Sequence, residues 1–139
     1  MPTQPDDILL NKAAIIERCL RRMREEFEAC PTLDSFTHLD ALTLNLERSC
    51  QAAIDMAMHV VASRHLGVPQ GSADAFSLLE QADLIEPGLA ASLRGMVGFR
   101  NVIIHQYEAI DMNVLRWVID AGHRDWIRLG DCLGVTIRP

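Results

Sequence analysis

The sequence predicts an all-α protein, an antiparallel bundle of four to five helices, and three observations support this fold class. Apolar residues recur at the three- and four-residue spacing of an α-helix. Glycine and proline lie between the long stretches. No stretch alternates with a period of two for long, except over the last few residues. The 139 residues are 49% hydrophobic and 23% charged, enough to bury one core, so we expect a single helical domain over residues 1–139.

The first two predicted helices are the longest. The first covers residues 6–29, because Pro5 suits a helix start and Cys30-Pro31 ends the apolar pattern. The second covers residues 34–66, with Asp34 as the expected N-cap. It can be one long helix or two helices joined by a kink.

Three more helices are predicted in the second half of the chain. A short one covers residues 73–82, with Ser72 as its cap. The next covers residues 87–105, starting at a proline. The last covers residues 112–129, with Asp111 as its N-cap. Short connections then give a bundle of neighbouring antiparallel helices.

Composition and charge restrict the class of protein. No apolar run approaches 18 residues and the N-terminus lacks the features of a signal peptide, so we expect a cytoplasmic protein without a membrane partner. The four cysteines are scattered, which favours free thiols. The net charge of −6 argues against nucleic-acid binding over the whole surface. DNA is not an expected partner. A local basic cleft for RNA stays possible.

The predicted helix over residues 87–105 carries a cation on its apolar face. On a helical wheel with Leu89 at zero, Arg100 falls at about 20°, in the middle of that face. The apolar members are Leu89, Leu93, Met96, Val97, Ile103 and Ile104. Arginine is rarely placed on a core face without a partner. Arg100 can extend to the surface or pair with an acidic residue of another helix, or it can hold an anion in a cleft or subunit interface.

A second strip of polar residues lies on the flank of the same helix. Asn101, Arg94 and His105 fall at about 120°, 140° and 160°. A cation, an amide and an imidazole suit a phosphodiester, because one group holds the phosphate and another moves protons near neutral pH. Arg100 and His105 point about 140° apart on a straight helix. They can share a phosphate only through a bend, a helix end, a long arginine reach or a second subunit.

Other candidate groups favour structural roles. Asp55 and His59 are spaced to face each other, and a hydrogen bond between them is the simplest interpretation. Trp117 and Trp126 are expected to pack. The paired Glu-x-x-His motif of carboxylate-bridged bundles does not occur. We therefore expect no metal site and no cofactor.

The segment from Arg100 to Tyr107 resembles the R-x4-H-x-Y motif of HepT-type toxins in the HEPN superfamily. Arg116 and His123 also satisfy a looser spacing, but only Arg100 is followed by an asparagine, Asn101, and by the trailing Tyr107. The flanks are similar as well, including Leu66-Gly-Val-Pro69 and Ile110-Asp111. The resemblance extends over about residues 8–130.

The resemblance implies a function for each residue of the motif. HepT-like proteins are cytoplasmic helical homodimers that act as metal-independent endoribonucleases of toxin–antitoxin systems. Arg100 would bind the scissile phosphate, His105 would act as general base or acid for attack by the ribose 2′-OH, and Asn101 would orient either one. The partner would be an MntA-type nucleotidyltransferase antitoxin that transfers AMP from ATP to Tyr107. Arg94 would be a weaker RNA contact.

A non-catalytic alternative uses the same residues. In this interpretation the helical dimer only holds a nucleotide or docks a nucleotidyltransferase, with Tyr107 as a contact or modification site. The identity of the RNA and its cleavage site are not predicted by the sequence.

Overall fold

The computed structural model describes residues 6–139, and within this range the chain forms six α-helices and no strand. Their bounds are α1 Asp7–Ala29, α2 Phe36–Ser63, α3 Ser72–Gln81, α4 Pro87–His105, α5 Met112–Trp117 and α6 Arg124–Cys132. A 3-10 turn, Tyr107–Ala109, follows α4, and a π-helical segment, Val118–Gly122, joins α5 to α6. The predicted all-α class is confirmed.

The starts of α1 and α2 differ in how they are capped. The Asp6 carboxylate accepts hydrogen bonds from the backbone N–H groups of Ile8 and Leu9, at 2.9 and 3.3 Å. The expected contribution of Pro5 lies outside the described residues. The prediction that Asp34 is the N-cap of α2 is wrong. Its carboxylate instead accepts a 2.8 Å hydrogen bond from the Thr32 hydroxyl. The N-cap of α2 is Ser35, and α2 continues as one helix to Ser63.

The bounds of α4 match the prediction closely. Pro87 occupies its first turn, where a missing N–H has no cost. The helix ends at His105 because Gln106 leaves helical geometry, with φ −141° and ψ 53°. Asp111 caps α5 through Asn113 N–H at 2.9 Å, as expected. The end of α4 and the start of α5 thus enclose one short 3-10 turn.

The last predicted helix is divided in two by the π-helical segment. Trp117 lies over Gly122, where an added Cβ would come within 2.5 Å of the indole ring. The absence of a side chain at Gly122 therefore lets the chain widen beneath this ring. Trp126 is fully buried in α6, whereas Trp117 stays 45% exposed. The expectation of packing holds fully for Trp126 only.

One continuous core joins all six helices. The residues after α6 alternate in burial, with Leu133, Val135 and Ile137 buried, although they form no strand. They cover Gly130, which fits the brief period-two pattern in the sequence. All four cysteines are free, and Cys19 and Cys50 are buried. In the part of the chain that the structure describes, every helix is too short or too polar to cross a bilayer.

Candidate functional site

Arg100 lies half-buried on α4 and is held by two neutral amides. Its Nη2 donates to Gln51 Oε1 of α2 at 2.5 Å, and its Nη1 donates to Asn101 Oδ1 at 3.3 Å. Its Nε is buried and has no hydrogen-bond acceptor among residues 6–139. No carboxylate of the described chain forms an ion pair with this guanidinium, so its positive charge is not neutralised. A fixed, uncompensated cation is suited to binding an anion.

Gln51 connects Arg100 to a chain of polar groups that crosses three helices. Its Nε2 donates to Asp55 Oδ1 at 2.9 Å. The other oxygen of Asp55 accepts from Lys12 Nζ of α1 at 3.1 Å. Each member limits the rotation of the next, so the guanidinium is positioned by α1 and α2 as well as by its own helix. Gln51 was not predicted from the sequence, where its i,i+4 spacing from Asp55 is its only signal.

Asn101 and His105 lie on the exposed side of α4, at its last turns. Asn101 contacts Arg100 directly, which brings the two strips of the helical wheel together. His105 is the final residue of the helix, and its imidazole is exposed. It follows Arg100 by about 7.5 Å along the axis. A helix end, one of the arrangements left open by the helical wheel, is therefore present, but Arg100 and His105 form no hydrogen bond with each other within the described residues.

Tyr107 lies on the 3-10 turn and packs its hydroxyl against α2. The hydroxyl donates a short hydrogen bond to Asp40 Oδ1, and Thr43 Oγ1 lies 3.5 Å away. Partial burial, and then the hydrogen bond to Asp40, raise the pKa of the Tyr107 phenol. A shallow depression of about 300 Å³ surrounds it, with Leu44 and Ile104 exposed in its wall. Asp40 was not found from the sequence because it is 67 residues away from Tyr107.

Arg94 is placed apart from this group. Its Nη1 contacts Glu80 Oε1 at 3.2 Å and Ser77 Oγ at 3.3 Å, both on α3. The ion pair compensates its charge, unlike that of Arg100. Its suggested contact with RNA stays a prediction.

The remaining histidine candidates have structural partners. His59 Nε2 contacts Asp6 Oδ2 at 2.5 Å, so the expected pairing of His59 with Asp55 is wrong. Each residue of that pair has another partner instead: His59 contacts the N-cap of α1, and Asp55 pairs with Lys12 of α1. His123 Nδ1 lies 2.9 Å from the carbonyl oxygen of Val118 inside the π-helical segment.

The second arginine with motif-like spacing is structural as well. Arg116 donates to the carbonyl oxygens of Pro31 and Thr32, both at 3.2 Å. It therefore ties α5 to the α1–α2 turn. Residues 6–139 contain no group of three or more His, Cys, Asp or Glu side chains arranged to hold a metal.

An all-α bundle with an arginine, an asparagine and a histidine at the end of one helix defines a helical protein with a candidate anion-binding site, and comparison with known proteins identifies the family. Residues 9–128 match the family described as Ribonuclease HepT-like. The chain belongs to this family.

Two characterised relatives have different extents of similarity. The chain is 36% identical over 129 residues to the mRNA nuclease HepT of Shewanella oneidensis, covering 92% of this chain and 97% of that protein. It is 32% identical over 68 residues to the tRNA nuclease HepT of Aphanizomenon flos-aquae, covering 49% of this chain and 46% of that one.

Solved structures agree in fold. A toxin–antitoxin complex crystallised with AMP-PNP contains a chain with a TM-score of 0.87 and 35% identity, covering 92% of this chain and 98% of its own. The tri-AMPylated Shewanella oneidensis HEPN toxin in complex with MNT antitoxin contains a chain with a TM-score of 0.87 and 36% identity, covering 92% of this chain and 97% of its own. Both structures therefore share the fold over most of this chain.

Proposed function

We propose that this protein is a cytoplasmic endoribonuclease toxin that acts as a homodimer and is neutralised by a nucleotidyltransferase antitoxin. The observation that carries the proposal is the uncompensated Arg100 guanidinium, fixed by Gln51 and Asn101 five residues before an exposed His105 at the helix end. The family assignment supports RNA as the substrate.

The residues of the site divide the reaction between them. Arg100 binds the non-bridging oxygens of the scissile phosphate and stabilises the charge that develops on them. His105 takes the proton of the ribose 2′-OH, whose oxygen then attacks phosphorus. The new P–O2′ bond forms as the P–O5′ bond breaks, leaving a 2′,3′-cyclic phosphate and a 5′ oxygen that must receive a proton. A second His105, from the other subunit of the dimer, supplies it.

Asn101 acts on Arg100 more directly than on His105. Its side-chain oxygen accepts from the guanidinium, which leaves its NH2 group to donate to a phosphate oxygen. Arg94 is assigned a minor role, because its ion pair with Glu80 has to open before it can contact RNA.

Tyr107 is the proposed site of neutralisation. Its hydroxyl oxygen attacks the α-phosphorus of ATP bound by the antitoxin, the bond to pyrophosphate breaks, and Asp40 accepts the phenolic proton. The hydrogen bond from Tyr107 to Asp40 already points this proton at a carboxylate. The AMP adduct places a bulky anion beside Arg100 and His105, where it repels and blocks an RNA phosphate.

Cleavage of RNA by the purified, unmodified protein in the presence of a chelator tests the nuclease. We expect the wild type to cleave and His105→Asn and Arg100→Ala to be inactive but folded. His65→Asn is the matched control, because His65 is exposed and far along the chain from α4. Absence of cleavage by the wild type would favour the non-catalytic alternative, a module that docks a nucleotidyltransferase.

Mass spectrometry tests the neutralisation. Co-expression with an MntA-type nucleotidyltransferase should add AMP to Tyr107 and abolish cleavage. An unmodified tyrosine in an inactive complex would show that the antitoxin inhibits by occlusion.

A further inference from the structure

A groove of about 660 Å³ between α1 and α2 has a charge opposite to that of the whole protein. Its lining contains four cations, Lys12, Arg18, Arg22 and Arg48, and one carboxylate, Asp55. The complete chain has 13 basic and 19 acidic residues. The groove therefore concentrates positive charge on one face of an acidic protein, which favours an anionic ligand there.

Two of the four cations are not engaged by the protein. Arg18 and Arg48 are exposed, and neither forms an ion pair or a side-chain hydrogen bond within residues 6–139. Both line the groove, Arg18 from α1 and Arg48 from α2. Lys12, by contrast, is held by Asp55. Two free guanidinium groups are available for the oxygens of a phosphate.

The groove is continuous with the candidate site at two points. Gln51, which holds Arg100, lies in its lining and follows Arg48 by one helical turn on α2. Leu44 lines both the groove and the depression around Tyr107. From Lys12 to Arg22, the α1 wall extends about 15 Å. A chain bound at Arg100 can thus continue into the groove without crossing the protein.

We propose that this groove binds the single-stranded RNA backbone on one side of the scissile phosphate, with phosphates on Arg18 and Arg48. The inference rests on the proposed nuclease function and assigns a second binding region to it. Ile15 and Ala52 supply an apolar floor on which a base can pack. The two arginines act in substrate affinity and have no part in the chemical step.

The test compares two charge-matched double variants of the full-length protein. Arg18→Gln with Arg48→Gln removes the groove cations. Arg24→Gln with Arg124→Gln is the control, since both of these arginines are exposed and line a different groove that also contains Glu28 and Asp120. Each pair changes the net charge equally, so a general charge effect appears in both.

Binding of a fluorescent single-stranded RNA is measured by anisotropy at several salt concentrations, with His105→Asn in every protein to prevent cleavage. The slope of log K against log salt is negative. We expect the groove variant to make it less steep by about 1.4, because two phosphate contacts at about 0.7 each are lost. The control should keep the slope. In proteins with an intact His105, the groove variant should raise KM for a long RNA, with kcat unchanged, and leave cleavage of a very short RNA unaffected.

The outcomes separate this inference from the function on which it rests. If the wild type cleaves no RNA, the nuclease proposal fails. If the wild type cleaves and the groove variant matches the control in slope and KM, the groove proposal alone is overturned. It is also overturned if the groove variant changes only the mass of the dimer or binding to the antitoxin, because the groove is then a protein interface.

Discussion

Replacement of Gln51 by alanine isolates the positioning of Arg100 from the chemistry of cleavage. Gln51 Oε1 accepts from a charged guanidinium at 2.5 Å, and hydrogen bonds of this kind contribute roughly 1.5–3 kcal/mol. If the bond serves to hold Arg100 on the transition state, its loss lowers kcat/KM about 10- to 150-fold. The folded state should change little, because Asp55 keeps its ion pair with Lys12.

The assay is steady-state cleavage of one RNA by four proteins, the wild type, Gln51→Ala, Arg100→Ala and the double variant. Because Gln51 acts through Arg100, the double variant should be no slower than Arg100→Ala. Gln81→Ala is the control, an exposed glutamine at the end of α3. Equal kcat/KM for Gln51→Ala and wild type would refute the reasoning, and so would additive losses in the double variant.

Three further predictions concern the phenol, the packing and a buried thiol. Asp40→Asn should lower the raised pKa of Tyr107, as measured by alkaline absorbance titration, and slow its adenylylation; an unmoved midpoint would remove Asp40 as its partner. Gly130→Ala should destabilise the fold by about 1–3 kcal/mol in thermal unfolding, because an added Cβ would lie 3.0 Å from the carbonyl oxygen of Val135. Gly95→Ala, with open space, should stabilise it by about 0.5–1 kcal/mol, and equal effects of the two would contradict the packing argument. Burial raises the pKa of Cys50 to about 12, so Cys50→Ala should leave the number of thiols that react in the native protein at about pH 8 unchanged, and a lower number would show that this thiol is accessible.

The helices and the motif could be predicted from sequence because their signals are local. Pro87 begins α4, Asp111 caps α5, and Arg100 stands out against its own apolar face. The division of the last helix was not visible, because the buried residues Leu115, Val118, Gly122 and Trp126 follow one another at three- or four-residue intervals through it. It depends on Trp117 lying over Gly122, which is a contact of the folded chain.

The partners of the site residues could not be predicted because they come from distant parts of the chain. Gln51 and Asp40 lie on α2 and meet Arg100 and Tyr107 only when α2 packs beside α4. The mistaken pairing of His59 with a neighbour on its own helix has the same origin. Helical spacing shows only which side chains can meet within one helix. The competing carboxylate came from Asp6, the N-cap of α1.

The turn after α4 carries the one tyrosine of the entire sequence. A phenol whose oxygen is esterified to AMP can no longer ionise, so a modified copy contributes nothing to the absorbance change that accompanies alkaline titration. The amplitude of that change, compared with that of the unmodified protein, therefore measures the fraction of copies whose tyrosine is not modified. Tyr107 therefore gives an optical measure of the proposed neutralisation, without a label or a mass spectrometer.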